Sequence, residues 1–212
     1  MALDEALFTS FINTPNSEPI IRLYSWGIPC TTIGYFQKYP ETEFRGGPIT
    51  RRLTGGLTVL HGTDISYAMV AGKKMWPWLY DQTETYRRFH SILQRILADL
   101  GFNLGSEVVP NVPNSNTIRC VETVYQHDLM LQNRKVVGSC QRRRGDTILL
   151  EGSIHIPSLM GRMSEVECGF EFHFSRQVGD SLIKSSISDS EKSMQYALMS
   201  SRYLSEQWNR KF

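Results

Sequence analysis

The second half of the chain sets strand-like stretches so close together that no helix fits between them. Residues 128–131, 136–141 and 147–156 carry the apolar and β-branched residues of strands. A bend near Asn133 separates the first two, and Gly145-Asp146 separates the last two. A parallel crossover needs about a dozen residues or more, so links this short force antiparallel hairpins. Residues 20–26, 31–36, 49–53, 58–61 and 65–70 also read as strands, with Pro29 breaking the chain between the first two.

Helical spacing is read in three places. Leu3, Leu7, Phe8, Phe11 and Ile12 recur at helical intervals, so the chain opens inside an amphipathic helix without a cap, and a segment before Met1 is expected to be missing. Residues 83–100 are the clearest helix: Tyr86, Phe89, Leu93, Ile96, Leu97 and Leu100 form one stripe, and Gly101 stands at its stop. Ser188 and Glu191 have capping-box spacing ahead of a closing helix marked by Met194, Ala197, Leu198, Leu204 and Trp208. Residues 105–117, rich in Pro, Asn and Ser, read as loop. Strands outnumber helices and hairpins outnumber crossovers, which predicts an α+β fold on a largely antiparallel or mixed sheet. A length of 212 residues fits one domain, residues 1–212, with a real core.

Composition excludes several classes. No apolar run reaches the eighteen residues of a membrane span, and MALDEALFTSF has early acids where a secretory signal has a basic region. Cys30, Cys120, Cys140 and Cys168 have neither CxxC nor Cys/His ligand spacing, so reduced thiols, no metal and a cytoplasmic location are expected. The formal net charge of +2 gives no reason to expect a nucleic-acid partner. Arg142, Arg143 and Arg144, with Arg134 and Lys135 upstream, are either a field that steers an acidic macromolecule or a solvated hairpin tip.

Three stretches carry chemistry. In RRLTGGLTVLHG, residues 51–62, paired glycines let backbone approach a ligand, and Arg51 and Arg52 have the planar donors that meet a carboxylate or phosphate. The plainer reading is a turn, with His61 a satisfied core residue. In NRKVVGSCQRRRGDTILLEGSI, residues 133–154, Lys135 opens a strand and Gly138-Ser139 leave room beside it. A strand-fixed lysine can donate to a carbonyl oxygen without moving, although a lysine on a hairpin is more often simply exposed. Cys120 sits beside Arg119 at the end of the polar loop, where positive charge favours the thiolate.

Taken in order, MALDEAL, RLYSWGIPCTTIGYFQK, RRLTGG…VLH and RKVVGS.QRR…L..GSI resemble the lipoate–protein ligases and octanoyltransferases over about residues 1–156. The resemblance implies a biotin/lipoate-ligase-like catalytic domain, a curved, mixed and mostly antiparallel sheet flanked by helices. It implies an acyl pocket bordered by Arg52, Thr54, Gly55, Gly56 and His61, near Gly138 and Ser139, with Lys135 binding the reactive carbonyl. Cys120 matches the nucleophile of the cysteine-loop octanoyltransferases.

That likeness implies octanoyl or lipoyl transfer from an acyl carrier protein thioester to a lysine of a lipoyl domain or glycine cleavage H-like protein, through a cysteine thioester and without a cofactor. An ATP- and Mg-dependent ligase and a non-catalytic module that grips a lipoyl carrier are the alternatives. Leu57, where ligases usually have a third glycine, favours transfer. Two positions depart from the family pattern: residues 121–125 lack the Pro-Ser-Trp-like stretch, and Glu151 replaces a histidine.

Overall fold

The computed structural model describes residues 1–14, 17–40, 47–105, 125 and 127–212. The predicted hairpins dominate it. Strands β1 (Ile20–Tyr24), β5 (Ile65–Gly72), β6 (Leu129–Leu131), β7 (Arg134–Arg144) and β8 (Thr147–Ile154) form a five-stranded sheet in the order β1-β5-β8-β7-β6. Every neighbouring pair in it is antiparallel. Strands β2 (Cys30–Ile33), β3 (Ile49–Arg51) and β4 (Val59–His61) form a second sheet in the order β3-β2-β4. The mixed character lies there, because β2 runs parallel to β3 and antiparallel to β4.

The unbroken apolar run of β5 follows from burial on both faces. Its alternate residues Ala68 and Val70 join Leu149 of β8 against Leu3, Leu7 and Phe8 of α1 (Ala2–Asn13). Tyr67, Met69 and Ala71 face the other way, into the larger core with Phe89, Leu93, Ile96 and Leu97 of α2 (Gln82–Asp99). Period-2 alternation therefore selects which helix each side chain meets, not core against solvent.

Helix α2 starts one residue before the expected position, because the Asp81 side chain accepts from the Glu84 amide at 2.7 Å. Helix α3 (Met163–Val178) was not anticipated, yet Val166, Phe170 and Phe174 recur every four residues and are all buried. Helix α4 (Asp189–Leu198) begins with the predicted Ser188–Glu191 capping box. The closing segment is broken: a π turn, Met199–Tyr203, precedes the short α5 (Glu206–Asn209).

The two acids of MALDEAL are buried and paired. Asp4 accepts from Arg22 at 2.6 Å and from the Tyr24 hydroxyl at 3.2 Å. Glu5 pairs with Arg202 and accepts from the Tyr203 hydroxyl at 2.8 Å, which ties the closing segment to α1. Among the described residues, no helix is long and apolar enough to cross a membrane.

Candidate functional site

Residues of both sheets line a cavity enclosing roughly 700 Å³, its open mouth included. Val136 and Val137 of β7, with Leu57 and Val59, supply apolar wall; Lys135, Glu151, His61 and His155 bring ionisable groups to it. Arg52, Gly56, Gly138 and Ser139 also border the space, whereas the expected Thr54 and Gly55 are not among its lining residues.

Lys135 is buried, and its ammonium lies 2.7 Å from the Asp128 carboxylate, which is buried as well. The Asp128 carboxylate also accepts from the Tyr125 amide at 2.7 Å. Gly138 provides the space this lysine occupies: a Cβ there would lie 2.6 Å from Lys135 Cε and 2.9 Å from Nζ. The surface-lysine reading therefore fails. In the sequence, Asp128 shows only as the first residue of a strand. Its signal was an acid placed across a short hairpin from a lysine.

Behind β7, on the side of α2, the Ser139 hydroxyl bridges Tyr67 and His90, each at 2.6 Å. His90 Nδ1 lies 2.5 Å from the His127 carbonyl, which only accepts, so Nδ1 carries the ring proton and Nε2 accepts from Ser139. Burial holds the His90 pKa below the ordinary imidazole value, which keeps the ring neutral.

The Arg-Arg pair splits. Arg51 is fully buried and donates to the carbonyls of Gly34, Tyr35 and Gln37 (2.9, 3.0 and 2.6 Å) and to the Asn209 carbonyl (2.7 Å). It is a clamp on its own chain, which corrects the expectation that it meets a carboxylate or phosphate ligand. Arg52 donates to the carbonyls of Gly55 and Leu57, both at 2.9 Å, and so shapes the glycine loop. Gly56 sits in that loop at φ 89°, a conformation L side chains rarely adopt.

Arg52 also donates to Thr32 Oγ1 at 2.7 Å, leaving the Thr32 proton for His61 Nε2 at 2.8 Å. His61 Nδ1–H then donates to Asp64 at 2.8 Å, and Trp26 stacks on the ring. Burial holds this imidazole below its ordinary pKa. His61 thus has the satisfied ring of a core histidine and lines the cavity too.

In the sequence, Glu151 stands out only as a departure from the family pattern. It is buried, and the Thr54 hydroxyl donates to its Oε2 at 2.5 Å. Cys140, opposite Glu151 on β7, places its thiol 3.0 Å from Thr54 Oγ1. Burial, with the Asp4 charge next, raises the Glu151 pKa from 4.5 to about 7. Cys120 lies outside the described residues.

The arginine run also divides. Arg143 donates to the carbonyls of Leu79 and Tyr80 (2.8 and 3.2 Å) and to Thr85 Oγ1 (3.0 Å), Arg142 lies over the Tyr35 ring, and Arg144 is exposed. Only part of the run is a solvated tip.

The profile of the lipoyl protein ligase A/B catalytic domain matches residues 1–186. The chain belongs to that family. Curated relatives of this lipoyl protein ligase A/B chain include octanoyltransferase LipM of Carboxydothermus hydrogenoformans, 36% identical over 164 residues, covering 74% of this chain and 60% of that protein. Octanoyltransferase LipM of Moorella thermoacetica is 28% identical over 214 residues, covering 88% and 78%. The chain thus spans about 60% of the length of the first of these relatives.

Among solved structures, protein Ta0514 of T. acidophilum with bound lipoic acid superposes with a TM-score of 0.81 at 22% identity, covering 100% of this chain and 92% of that one. Lipoate-protein ligase A bound with ATP gives 0.80 at 23%, covering 99% and 92%. At these identities the structures establish the fold of the family, a mixed α/β arrangement on antiparallel sheet.

Proposed function

We propose that this chain is a cytoplasmic acyltransferase that moves an octanoyl group from an acyl carrier protein thioester to a lysine of a lipoyl-accepting carrier. The observation that carries the reading is the buried Lys135 ammonium, aimed by Asp128 into a cavity with apolar walls. The kinship with proteins named octanoyltransferase selects the acyl group.

Cys120 is the proposed nucleophile. Its thiolate adds to the thioester carbonyl, and the C–S bond to the carrier breaks as the carrier thiolate leaves. Negative charge growing on the carbonyl oxygen meets the Lys135 ammonium, a donor already oriented by Asp128. The acceptor lysine then attacks the Cys120 thioester, and the Cys120 thiolate departs. Each step forms one bond to the acyl carbon and breaks one, which divides the transfer into two easier reactions. Gly56 and the loop shaped by Arg52 border the acyl chain. Leu57, which lines the cavity, stands where ligases of the resembling family usually have a third glycine, and this favours transfer without ATP or Mg.

Intact mass spectrometry after incubation with octanoyl–acyl carrier protein tests this reading, with and without ATP and free octanoate. The expected result is an ATP-independent octanoyl adduct that hydroxylamine removes and that Cys120→Ser lacks. Acylation of the carrier from free octanoate, only with ATP and with pyrophosphate release, identifies a ligase instead. Tight carrier binding with no mass change on either protein identifies a binding module.

A further inference from the structure

We propose that Glu151, held by Thr54, is the proton acceptor for the amine that attacks the bound acyl group. The inference rests on the acyl-transfer reading and assigns it a residue that the family resemblance does not supply.

The geometry begins with the two carboxyl oxygens. Thr54 donates to Oε2, and among the described residues no donor meets Oε1 of this buried side chain, which lines the cavity. Gly138, against which Lys135 packs, pairs with Ser153 on β8, and Cys140 pairs with Glu151. Glu151 is therefore one same-face step from the lysine position, about 7 Å along the strand. Both side chains line the same cavity, so an acyl group whose oxygen faces Lys135 can present its amine nitrogen toward Glu151. The other cavity imidazoles are engaged: His61 through both nitrogens, and His155 through Nε2 with Ser153 at 2.8 Å.

The chemistry requires such a group. When the lysine nitrogen adds to the acyl carbon it carries a positive charge and is a better leaving group than the thiolate. One of its protons passes to Glu151 Oε1. The C–S electron pair then moves to sulfur, the amide remains, and Glu151 returns the proton to the departing thiolate. A carboxylate near pKa 7 is matched to this task. The charged and titratable groups facing it are Asp4, the Met1 amino group, Arg52, Tyr24 and Tyr203, with Cys140 across Thr54.

The test separates the half-reactions. Wild type and Glu151→Gln, which keeps the Thr54 contact, are loaded with octanoyl–acyl carrier protein, isolated, and mixed with an acceptor-lysine peptide or with hydroxylamine, whose weakly basic nitrogen gives up its proton to water after it has added. Glu151→Gln is expected to load at the wild-type rate and to react with hydroxylamine like wild type. Its transfer to the lysine peptide is expected to slow by about 10²–10⁴ and to lose the rise through pH 7. Equal slowing of loading, hydroxylaminolysis and lysine transfer means a structural role and overturns the proposal, as does lysine transfer at the wild-type rate. Absence of an octanoyl-enzyme in wild type removes the acyl-transfer reading and this proposal together.

Discussion

The Lys135 ammonium and the Asp128 carboxylate form a 2.7 Å ion pair in which both side chains are nearly sealed from solvent, at 4% and 6% exposure. One end of the pair lies on β7 and the other precedes β6, so the hairpin itself brings them together. Removing one partner of a buried pair typically costs about 3–5 kcal/mol, because the other charge stays buried. Asp128→Asn is expected to lose about that much in urea denaturation and to lose most carrier acylation. In Asp128→Asn/Lys135→Met, stability should largely return while activity stays absent. An Asp128→Asn protein with wild-type stability and turnover would show that the pair neither aims the lysine nor supports the fold.

Gly138→Ala probes the lysine without touching its charge. The added methyl meets Lys135 at 2.6 Å, so the ammonium must shift. Misplacement by about 1 Å can cost on the order of 10²-fold in rate. The expected outcome is a turnover loss of at least tenfold with an unchanged circular dichroism spectrum. Unimpaired acylation rejects a rate-determining role for the ammonium's position.

Arg51→Lys separates the clamp from its charge. The planar fork of Arg51 serves carbonyls on the 34–37 turn and on Asn209 at once, which a single ammonium cannot span. Each buried acceptor left unsatisfied costs about 1–3 kcal/mol. The variant is expected to lose several kcal/mol, and hydrogen exchange should show residues 206–209 opening first. Unchanged protection there means the clamp is redundant.

For the arginine run, position within the strand divides the expected effects. Arg143→Ser removes donors to Leu79, Tyr80 and Thr85 and should lower stability at every salt concentration. The pair Arg142→Ser/Arg144→Ser should lower kcat/KM at low salt and flatten its salt dependence, leaving kcat nearly unchanged. Superimposable salt profiles place the carrier-docking surface elsewhere.

Glu151 also predicts a pH dependence of stability. Its folded pKa, about 7, lies above the ordinary value of 4.5, so the folded state binds the proton more tightly. Its contribution is then fully present below pH 4.5, declines as pH rises, and is lost once pH passes 7. The decline is on the order of 3 kcal/mol, and Glu151→Gln should remove it. Denaturation midpoints of wild type and variant should therefore diverge most at pH 8, with the variant more stable. Parallel curves across pH 4–8 are the result that rejects a buried, proton-holding Glu151.

Much of what neighbours along the chain carry was legible in the sequence, although the Val166-Phe170-Phe174 stripe of α3 was not read. Turns too short for a crossover dictated antiparallel hairpins, the Tyr86–Leu100 stripe dictated α2, and Ser188 with Glu191 dictated the start of α4. Lys135 and the glycine loop were joined into one expected site only by the resemblance to a family, since neither stretch alone distinguishes a ligand site from a turn or a surface lysine. Only the tertiary structure decided which face each strand residue shows. Alternation along β5 is silent when both faces are buried, so Tyr67 toward α2 and Ala68 toward α1 are readable only after the helices pack. For the same reason Arg51 and Arg52, adjacent and chemically alike, parted company: one closed on carbonyls of a segment 158 residues away, the other on its own loop. Buried charge obeys no sequence period. Its place is set by which partners the assembled chain brings within hydrogen-bond reach, and that is how Asp128 and Glu151 entered the site.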